Sequence, residues 1–147
     1  MARLPYQVLV ILYIKEKNRI RYCVFERRDS QGCFQFIAGG GESGETPAQT
    51  AVRETFEESG ISVVDFSQLT SMCYVPTSIF SEEKRKAWGV YVIPEYVFAA
   101  EVKSEHIELS EEHAGYKWAT YDEALDLLKW DSNKTALYEL NCILTEE

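Results

Sequence analysis

The sequence predicts an α/β protein, because strand-like segments precede and follow a helix with clear boundaries. A mostly apolar, β-branched run over residues 6–14 and an alternation of apolar and polar residues over 19–27 are separated by turn residues, which predicts an antiparallel hairpin. The helix over residues 47–60 follows Thr46, a capping residue, and ends at a glycine. At 147 residues, the chain is expected to be a single domain with a core of its own.

The remaining segments follow in chain order: a short strand over 34–37 that leads into a glycine loop at 38–41, strands over 61–66 and 69–75, a polar loop over 76–86, and a β-rich segment over 88–102. Pro94 restricts its part of the last segment to a sheet edge or a bulge. Thr120 and Glu123 form a capping box that predicts a short helix to about residue 129. An amphipathic helix is then expected over about 132–144. Its candidate core contacts are Leu137, Leu140, Cys142 and Ile143.

The composition and charge of the chain limit its possible partners and its expected cellular location. The chain is 46% hydrophobic and 27% charged, which is typical of a globular protein. The apolar run over residues 8–14 is too short to cross a bilayer, and residues 1–6 do not resemble a secretory signal, so we expect a cytoplasmic protein with no membrane partner. A net charge of −9 argues against a nucleic-acid polymer as partner. Four cysteines without C-x-x-C spacing predict core thiols and not a zinc site.

The helix over 47–60 concentrates carboxylates on one side. At 100° per residue, Glu54, Glu57 and Glu58 share a face with Thr50. The residues expected to pack in the core lie on the opposite face: Ala48, Val52 and Phe56. An isolated E-x-x-E-E pattern is most often a solvated helix face.

Like charges at this spacing repel, and a hard divalent cation among them would remove the repulsion. Oxygen-only ligands with room for water and phosphate suit Mg²⁺, with Mn²⁺ as a second choice. Arg53 lies among the acids, where it can form charge-assisted hydrogen bonds with Glu45 or Glu57.

The acids belong to a longer pattern, G-x5-E-x7-R-E-U-x-E-E-x-G-U, where U is a bulky aliphatic residue. The residues that fit it are Gly39, Glu45, Arg53, Glu54, Glu57, Glu58, Gly60 and Ile61. This stretch closely resembles the signature of the Nudix hydrolases. Thr55 departs from the pattern at an aliphatic position. The resemblance implies an α/β/α sandwich with a mixed β-sheet, and an enzyme that hydrolyses phosphoanhydrides with a divalent metal ion.

The resemblance also assigns candidate roles. The implied catalytic residues are Arg53, Glu54, Glu57, Glu58 and Glu112, and the implied metal ligands are the same four glutamates with the Gly39 carbonyl. Glu112 matches a further family carboxylate in an E-H-x-x-Y-K-W segment, with Glu111 as second choice. Either Glu54 or Glu112 could be the general base. The implied substrate contacts are Arg3, Arg27, Ala38, Thr77, Phe80 and Ser132. Tyr116 and Trp118 are expected to pack within a strand and not to stack on a base.

Similarity at the ends of the chain narrows the implied substrate. The strand containing Pro5, the R-R-D at 27–29 and the K-W-D-S-N at 129–133 resemble the bacterial dihydroneopterin triphosphate (dATP) pyrophosphohydrolase group. This implies cleavage of a nucleoside or pterin triphosphate to a monophosphate and pyrophosphate. The diadenosine tetraphosphatase group shares the E-H-x-x-Y-[K/R]-W segment and is the alternative. A third hypothesis, a non-catalytic nucleotide-binding regulator, is disfavoured because such modules usually lose the acids retained here.

Overall fold

A computed structural model describes residues 2–146, which form a mixed β-sheet with helices on both faces. The strands are β1 (Arg3–Lys15), β2 (Ile20–Arg27), β3 (Phe34–Gln35), β4 (Ile37–Glu42), β5 (Ser67–Pro76), β6 (Val92–Glu101) and β7 (His113–Ala119). The helices are α1 (Pro47–Ser59), α2 (Glu82–Trp88), α3 (Tyr121–Leu127) and α4 (Asp131–Thr145), with a single 3₁₀ turn at Thr77–Ile79. None of the helices within this range combines the length and apolar character needed to cross a membrane.

Strand β1 is the centre of the sheet and has three partners. Its last residues pair antiparallel with β2, which confirms the predicted hairpin, and its first part pairs antiparallel with β4. On its other side, β1 pairs in parallel with β6, and β5 then forms the sheet edge beside β6. Strand β7 extends the sheet next to β2.

Alternate residues of β1 build the two halves of the core, because successive side chains of a strand point to opposite faces. Val8 and Val10 pack on the α1 side, in a cluster that includes Ala51. Leu9 packs on the other side, in a cluster that includes Leu137 of α4. The two clusters give the α/β/α sandwich that the sequence predicted.

The predicted glycine loop at 38–41 is wrong, because these residues belong to β4. Their backbone forms ladder pairs with β1, including Gly40 with Gln7 and Gly39 with Val8. The glycines therefore do not make a turn. Because glycine has no side chain, other groups can lie directly against the backbone of this strand.

The predictions over 61–66 and 76–86 are also wrong. Residues 61–66 contain no strand: Ile61, Val63 and Phe66 pack against the core, so the alternation reflects packing without sheet pairing. The segment predicted as a polar loop contains the 3₁₀ turn and α2. Ser81 caps α2, and acids in its first turn and bases in its last turn complement the helix dipole.

The C-terminal helices lie close to their predicted positions. The Thr120–Glu123 capping box is present at the start of α3. In α4, Leu137 and Leu140 are buried as predicted, but Cys142 and Ile143 are exposed. Of the cysteines, only Cys23 and Cys33 are buried, so the expectation of four core thiols is only half correct.

Candidate active site

Helix α1 has the predicted boundaries, but its buried face is not the predicted one. Thr46 caps the helix, and Gly60 ends it in the left-handed conformation, with φ of 76°. Ala48 and Phe56 are exposed, and the residues buried against the sheet are Thr50, Ala51, Thr55, Glu58 and Ser59. The face that carries the acids therefore turns partly toward the sheet, which brings Glu54 and Glu58 to the helix–sheet boundary.

Arg53 organises the acids around it. Its Nε donates to Glu45 (2.7 Å), and its Nη1 donates to Glu54 (2.8 Å) and to Glu57 (3.0 Å). Its Nη2 donates to the backbone carbonyl of Gly40 in β4 (2.8 Å). Both hydrogen bonds predicted for Arg53 are present, and the bond to Gly40 ties the helix to the sheet. The hydrogen bond from Arg53 lowers the pKa of Glu45 to about 2.

Glu54 lies directly against the backbone of β4. A Cβ atom at position 39 would collide with the Glu54 carboxylate, so glycine is required there. Burial raises the pKa of Glu54 to about 7, although Arg53 opposes this effect, and the charges of Glu57 and Glu58 raise it further.

A second group of polar residues surrounds Glu58 at the start of β7. Ser110 donates to Glu58 Oε2 (2.9 Å), and His113 Nδ1 lies 2.7 Å from the same oxygen in a close contact that is not a well-aligned hydrogen bond. Burial alone would raise the pKa of Glu58, but His113 and Ser110 outweigh it and hold the pKa below its ordinary value. Burial and the Glu58 charge raise the pKa of Glu112. His113 is thus a buried positioning residue for the acids, and Ser110 is a contact that the sequence analysis did not predict.

A cavity of about 910 Å³ opens beside the acids, on the α4 side of the sheet. Several predicted site residues line it: Arg3, Arg27, Ala38, Gly39, Glu112 and Ser132. Arg53, Glu54, Glu57 and Glu58 do not line it. Gly39 is the point at which the cavity meets these acids, because it lines the cavity and its missing side chain leaves the space that the Glu54 carboxylate occupies.

Three arginines give the cavity a cationic side. Arg27 pairs through two hydrogen bonds with Asp29 (2.7 and 2.8 Å), and Arg28 donates to backbone carbonyls, including that of Glu111 (2.7 Å). Arg3 lies over the Phe80 ring, 4.6 Å from its centroid, and its buried Nε has no hydrogen-bond partner. That Nε packs against the backbone of Gly40, so any ligand contact of Arg3 would come from the rest of its guanidinium. A guanidinium at a cavity wall is suited to an anionic ligand group.

The location of Thr77 does not support its expected role. Its side chain is buried, and its hydroxyl lies 3.1 Å and 3.0 Å from the backbone oxygens of Val90 and Tyr91. Thr77 therefore holds the two ends of the α2 segment together. Phe80 does not line the cavity either, and it reaches the cavity only through Arg3.

Sequence reasoning missed several residues of the cavity wall. These are Gln7, Gln35, Tyr74, Glu95, Trp130 and Asn133. Gln7 and Glu95 each interrupt an otherwise apolar strand, and that interruption is the signal that could have found them. Trp118, by contrast, packs against the core as expected, and its Nε1 donates to the carbonyl of Glu105 (2.8 Å).

The acids are chemically suited to a divalent cation. Within residues 2–146, no three His, Cys, Asp or Glu side chains are gathered closely enough to hold an ion as they stand. The available donors are nevertheless carboxylate and carbonyl oxygens, which suit Mg²⁺ or Mn²⁺. Glu54 and Glu112 both have pKa values raised by burial and by neighbouring carboxylates, and a cation would relieve that repulsion.

Comparison with known proteins identifies the family of the chain. The NUDIX domain family matches residues 4–140. Dihydroneopterin triphosphate diphosphatase of Escherichia coli is 36% identical over 137 residues, covering 90% of this chain and 89% of the relative. A crystal structure of a Nudix hydrolase from Listeria monocytogenes superposes with a TM-score of 0.84 at 43% identity, covering 96% and 94% of the two chains. The bis(5'-nucleosyl)-tetraphosphatase of Sus scrofa is 39% identical over 100 residues, which are 67% of this chain and 63% of that protein.

The chain therefore belongs to the Nudix hydrolase family. Since its curated relatives include diphosphatases at 31% and 36% identity, it is an enzyme of the pyrophosphohydrolase class.

Proposed function

We propose that this enzyme cleaves a nucleoside or pterin triphosphate, of the dATP or dihydroneopterin triphosphate type, to a monophosphate and pyrophosphate. The observation that carries the proposal is the position of Glu54 against Gly39, a residue that also lines the cavity whose wall holds Arg3 and Arg27. The acids can hold a metal ion that binds the phosphate chain, and the cavity has space for the rest of the substrate. The similarity to the E. coli diphosphatase over most of both chains supports the same substrate class.

The carboxylates of Glu54, Glu57, Glu58 and Glu112, with the Gly39 carbonyl, would hold Mg²⁺, or Mn²⁺ in its place. Bound there, the ion supplies charge neutralisation for the phosphate oxygens and lowers the pKa of water. Arg53 keeps Glu54 and Glu57 in place through its two hydrogen bonds.

A carboxylate must also accept the proton of the attacking water. In the metal-free protein the pKa of Glu54 is about 7, and a carboxyl group with so perturbed a pKa beside the metal ligands is a candidate for this step. Glu112 is the alternative base, because its pKa is raised as well and it lines the cavity. A pH–rate profile that loses its acidic limb in Glu54→Gln but keeps it in Glu112→Gln would assign the base to Glu54.

The arginines of the cavity are placed to bind phosphate. Arg3 lines the cavity, and among residues 2–146 its guanidinium forms no ion pair with a carboxylate. Arg27 already shares two hydrogen bonds with Asp29, which fixes its guanidinium plane at the cavity wall. We therefore assign the first phosphate contact to Arg3 and a supporting contact to Arg27.

A second candidate is hydrolysis of a dinucleoside tetraphosphate. It is favoured by the 39% identity to the Sus scrofa tetraphosphatase, although that similarity spans only 67% of this chain. The acids would serve both reactions. The two functions differ in what occupies the cavity beyond the phosphate chain.

The deciding experiment measures Mg²⁺-dependent turnover of dATP, the other nucleoside triphosphates, dihydroneopterin triphosphate, diadenosine tetraphosphate and ADP-ribose, with products identified by mass. Pyrophosphate from a triphosphate supports the proposal, whereas ATP released from the dinucleotide supports the alternative. Glu54→Gln should lower turnover at neutral pH by roughly 10²- to 10⁴-fold, which leaves a measurable residual rate. Glu83→Gln, an exposed change on α2, serves as the matched control. Nucleotide binding without turnover of any substrate by the wild type would contradict both functions.

A further inference from the structure

Glu95 is a buried carboxylate that the proposed chemistry does not use. It is 4% exposed, and it lines both the main cavity and a smaller adjoining cavity of about 180 Å³. It lies on β6, away from α1 and its acids. In the sequence it interrupts the apolar segment V-I-P-E-Y-V-F. A carboxylate in such a position is costly unless something compensates it.

The contacts of Glu95 leave part of its hydrogen-bonding capacity free. Gln7 Nε2 donates to one carboxylate oxygen, and Cys73 Sγ lies 3.2 Å from the other. No cation among residues 2–146 forms an ion pair with it. Since a carboxylate can accept about four hydrogen bonds, each oxygen can take one more donor. The cavity supplies the space for that donor.

Glu95 is also held in a defined orientation. Arg3 Nη2 donates to Gln7 Oε1 (3.2 Å), which leaves the Gln7 amide nitrogen to face Glu95. The chain Arg3–Gln7–Glu95 therefore links the phosphate-binding arginine to the carboxylate on the cavity floor. A substrate with its phosphates at Arg3 would place its other end within this polar network.

An aromatic side chain in the cavity wall suits a flat heterocycle. Trp130 lines the cavity and is 47% exposed. Tyr74 is 62% exposed, but it follows Cys73, whose thiol faces Glu95, so its ring points to the other face of the sheet. Trp130 is oriented by a hydrogen bond from its Nε1 to Gln35 Oε1 (3.3 Å). Exposed aromatic faces at a cavity wall provide stacking surfaces for a ring system.

We infer that Glu95 is a specificity-determining residue that accepts two adjacent N–H donors from the substrate heterocycle. The matching chemistry is a 2-amino-4-oxopyrimidine edge, in which an amino group lies beside a ring N–H, as in guanine and in pterins. Adenine presents an amino donor beside a ring nitrogen that is an acceptor, which the carboxylate repels. This inference rests on the proposed triphosphate hydrolysis and narrows its substrate to the guanine and pterin class.

The test compares GTP with ITP, which differ only in the 2-amino group. For the wild type, kcat/KM for GTP should exceed that for ITP by roughly 10- to 100-fold, the effect of one charge-assisted hydrogen bond. In Glu95→Gln the ratio should fall to within about 3-fold. Glu101→Gln, an exposed change on the same strand at a residue paired with Lys103, should keep the wild-type ratio. Dihydroneopterin triphosphate should lose kcat/KM in Glu95→Gln in parallel with GTP.

Equal kcat/KM for GTP and ITP in the wild type would overturn the inference, and so would a wild-type ratio in Glu95→Gln. The wild-type comparison decides the matter even if the variant does not fold. Binding of GMP and IMP, measured by calorimetry, separates this inference from the proposed function. Absence of triphosphate turnover with tighter binding of GMP than IMP would reject the proposed function and support the role of Glu95. Triphosphate turnover with no preference for GTP over ITP would support the proposed function and reject the role of Glu95.

Discussion

The Glu54 carboxyl group is subject to two opposing effects. Burial against Gly39 raises its pKa to about 7, whereas the hydrogen bond from Arg53 favours the ionised form. Without a metal ion, the group therefore carries a proton for part of the time at neutral pH. A divalent cation binds only the ionised form, so metal binding and proton release are coupled.

We predict that Mg²⁺ binding at pH 6.5 releases a proton from Glu54. Metal affinity should rise with pH through about 7 and level off roughly one to two pH units higher, where the carboxyl group is almost fully ionised. Calorimetry in two buffers of different ionisation enthalpy measures the released proton directly. The signal should disappear in Glu54→Gln. Equal apparent enthalpies in both buffers for the wild type would show that no such coupling exists.

Glu45 has a lowered pKa, in contrast to Glu54, and its stabilising effect is lost at acidic pH. The Arg53 hydrogen bond lowers its pKa from 4.5 to about 2, so the stabilisation is complete above pH 4.5 and is lost as the pH falls toward 2. We predict that Glu45→Gln lowers the free energy of unfolding at pH 7 by about 1 to 3 kcal/mol. The difference from the wild type should shrink between pH 4.5 and 2 in urea titrations. Glu82→Gln, at an exposed i,i+4 pair, should show almost no loss.

Among the elements, α1 illustrates what a local pattern can and cannot specify. Its ends are fixed by Thr46 and Gly60, whose effects depend only on neighbouring backbone, and both were predictable. Its buried face was not, because hydrophobicity favoured Phe56 over Glu58. The sheet instead contacts the acidic side, where His113 and Ser110 compensate the buried carboxylate. Those partners lie more than 50 residues away, beyond the reach of helix periodicity.

Two buried threonines of α1 offer a matched pair of substitutions. The Thr55 hydroxyl has no hydrogen-bond partner, whereas that of Thr50 contacts Glu45 (2.9 Å) and Tyr6 (2.7 Å). We predict that Thr55→Val raises the free energy of unfolding by about 1 kcal/mol, because valine has the same shape without the unpaired hydroxyl. Thr50→Val should lower it by about 1 to 3 kcal/mol. Chemical denaturation of both variants measures the difference, and a loss in Thr55→Val would mean that its hydroxyl has a role in the folded protein.

Strand β4 and helix α2 show two other reasons for error. The glycines of β4 are typical of turns, but tertiary pairing with β1 overrides that preference. Helix α2 was predictable in principle, since Ser81 and the order of acids and bases after it are typical of a capped helix. Its residues were included in the predicted polar loop over 76–86 because they are mostly charged.

At the scale of the whole molecule, the acids of α1 affect the stability of the folded protein as well as its chemistry. Glu54, Glu57 and Glu58 repel one another without a cation, and an ion that binds only the folded state shifts the unfolding equilibrium by mass action. We predict that Mg²⁺ at about 100 times its Kd stabilises the protein by about 2.7 kcal/mol relative to EDTA. Thermal unfolding should show a Tm higher by roughly 5 to 10 °C. Glu58→Gln with Mg²⁺ and with EDTA serves as the control, and an unchanged wild-type Tm would contradict metal binding at the acids.

The cluster of Glu54, Glu57 and Glu58 could be predicted from the sequence because these residues lie within one short segment. The cavity could not, because its wall is assembled from distant segments: β1, β5, β6 and the start of α4 all contribute. Gln7 and Glu95 illustrate the limit. Each is a single polar residue in an apolar strand, and only the parallel pairing of β1 with β6 brings them together.

That pairing also affects the order in which the molecule is built. Gln7 and Glu95 are 88 residues apart in the chain, and parallel strands so distant in sequence are slow to meet during folding. The α1 segment with its caps can form locally, whereas the cavity floor exists only once the central strands have joined. A ligand held between Arg3 and Glu95 thus contacts a feature that only the completed sheet possesses. Such a ligand prolongs the lifetime of the folded state by slowing unfolding, and it leaves the rate of folding unchanged.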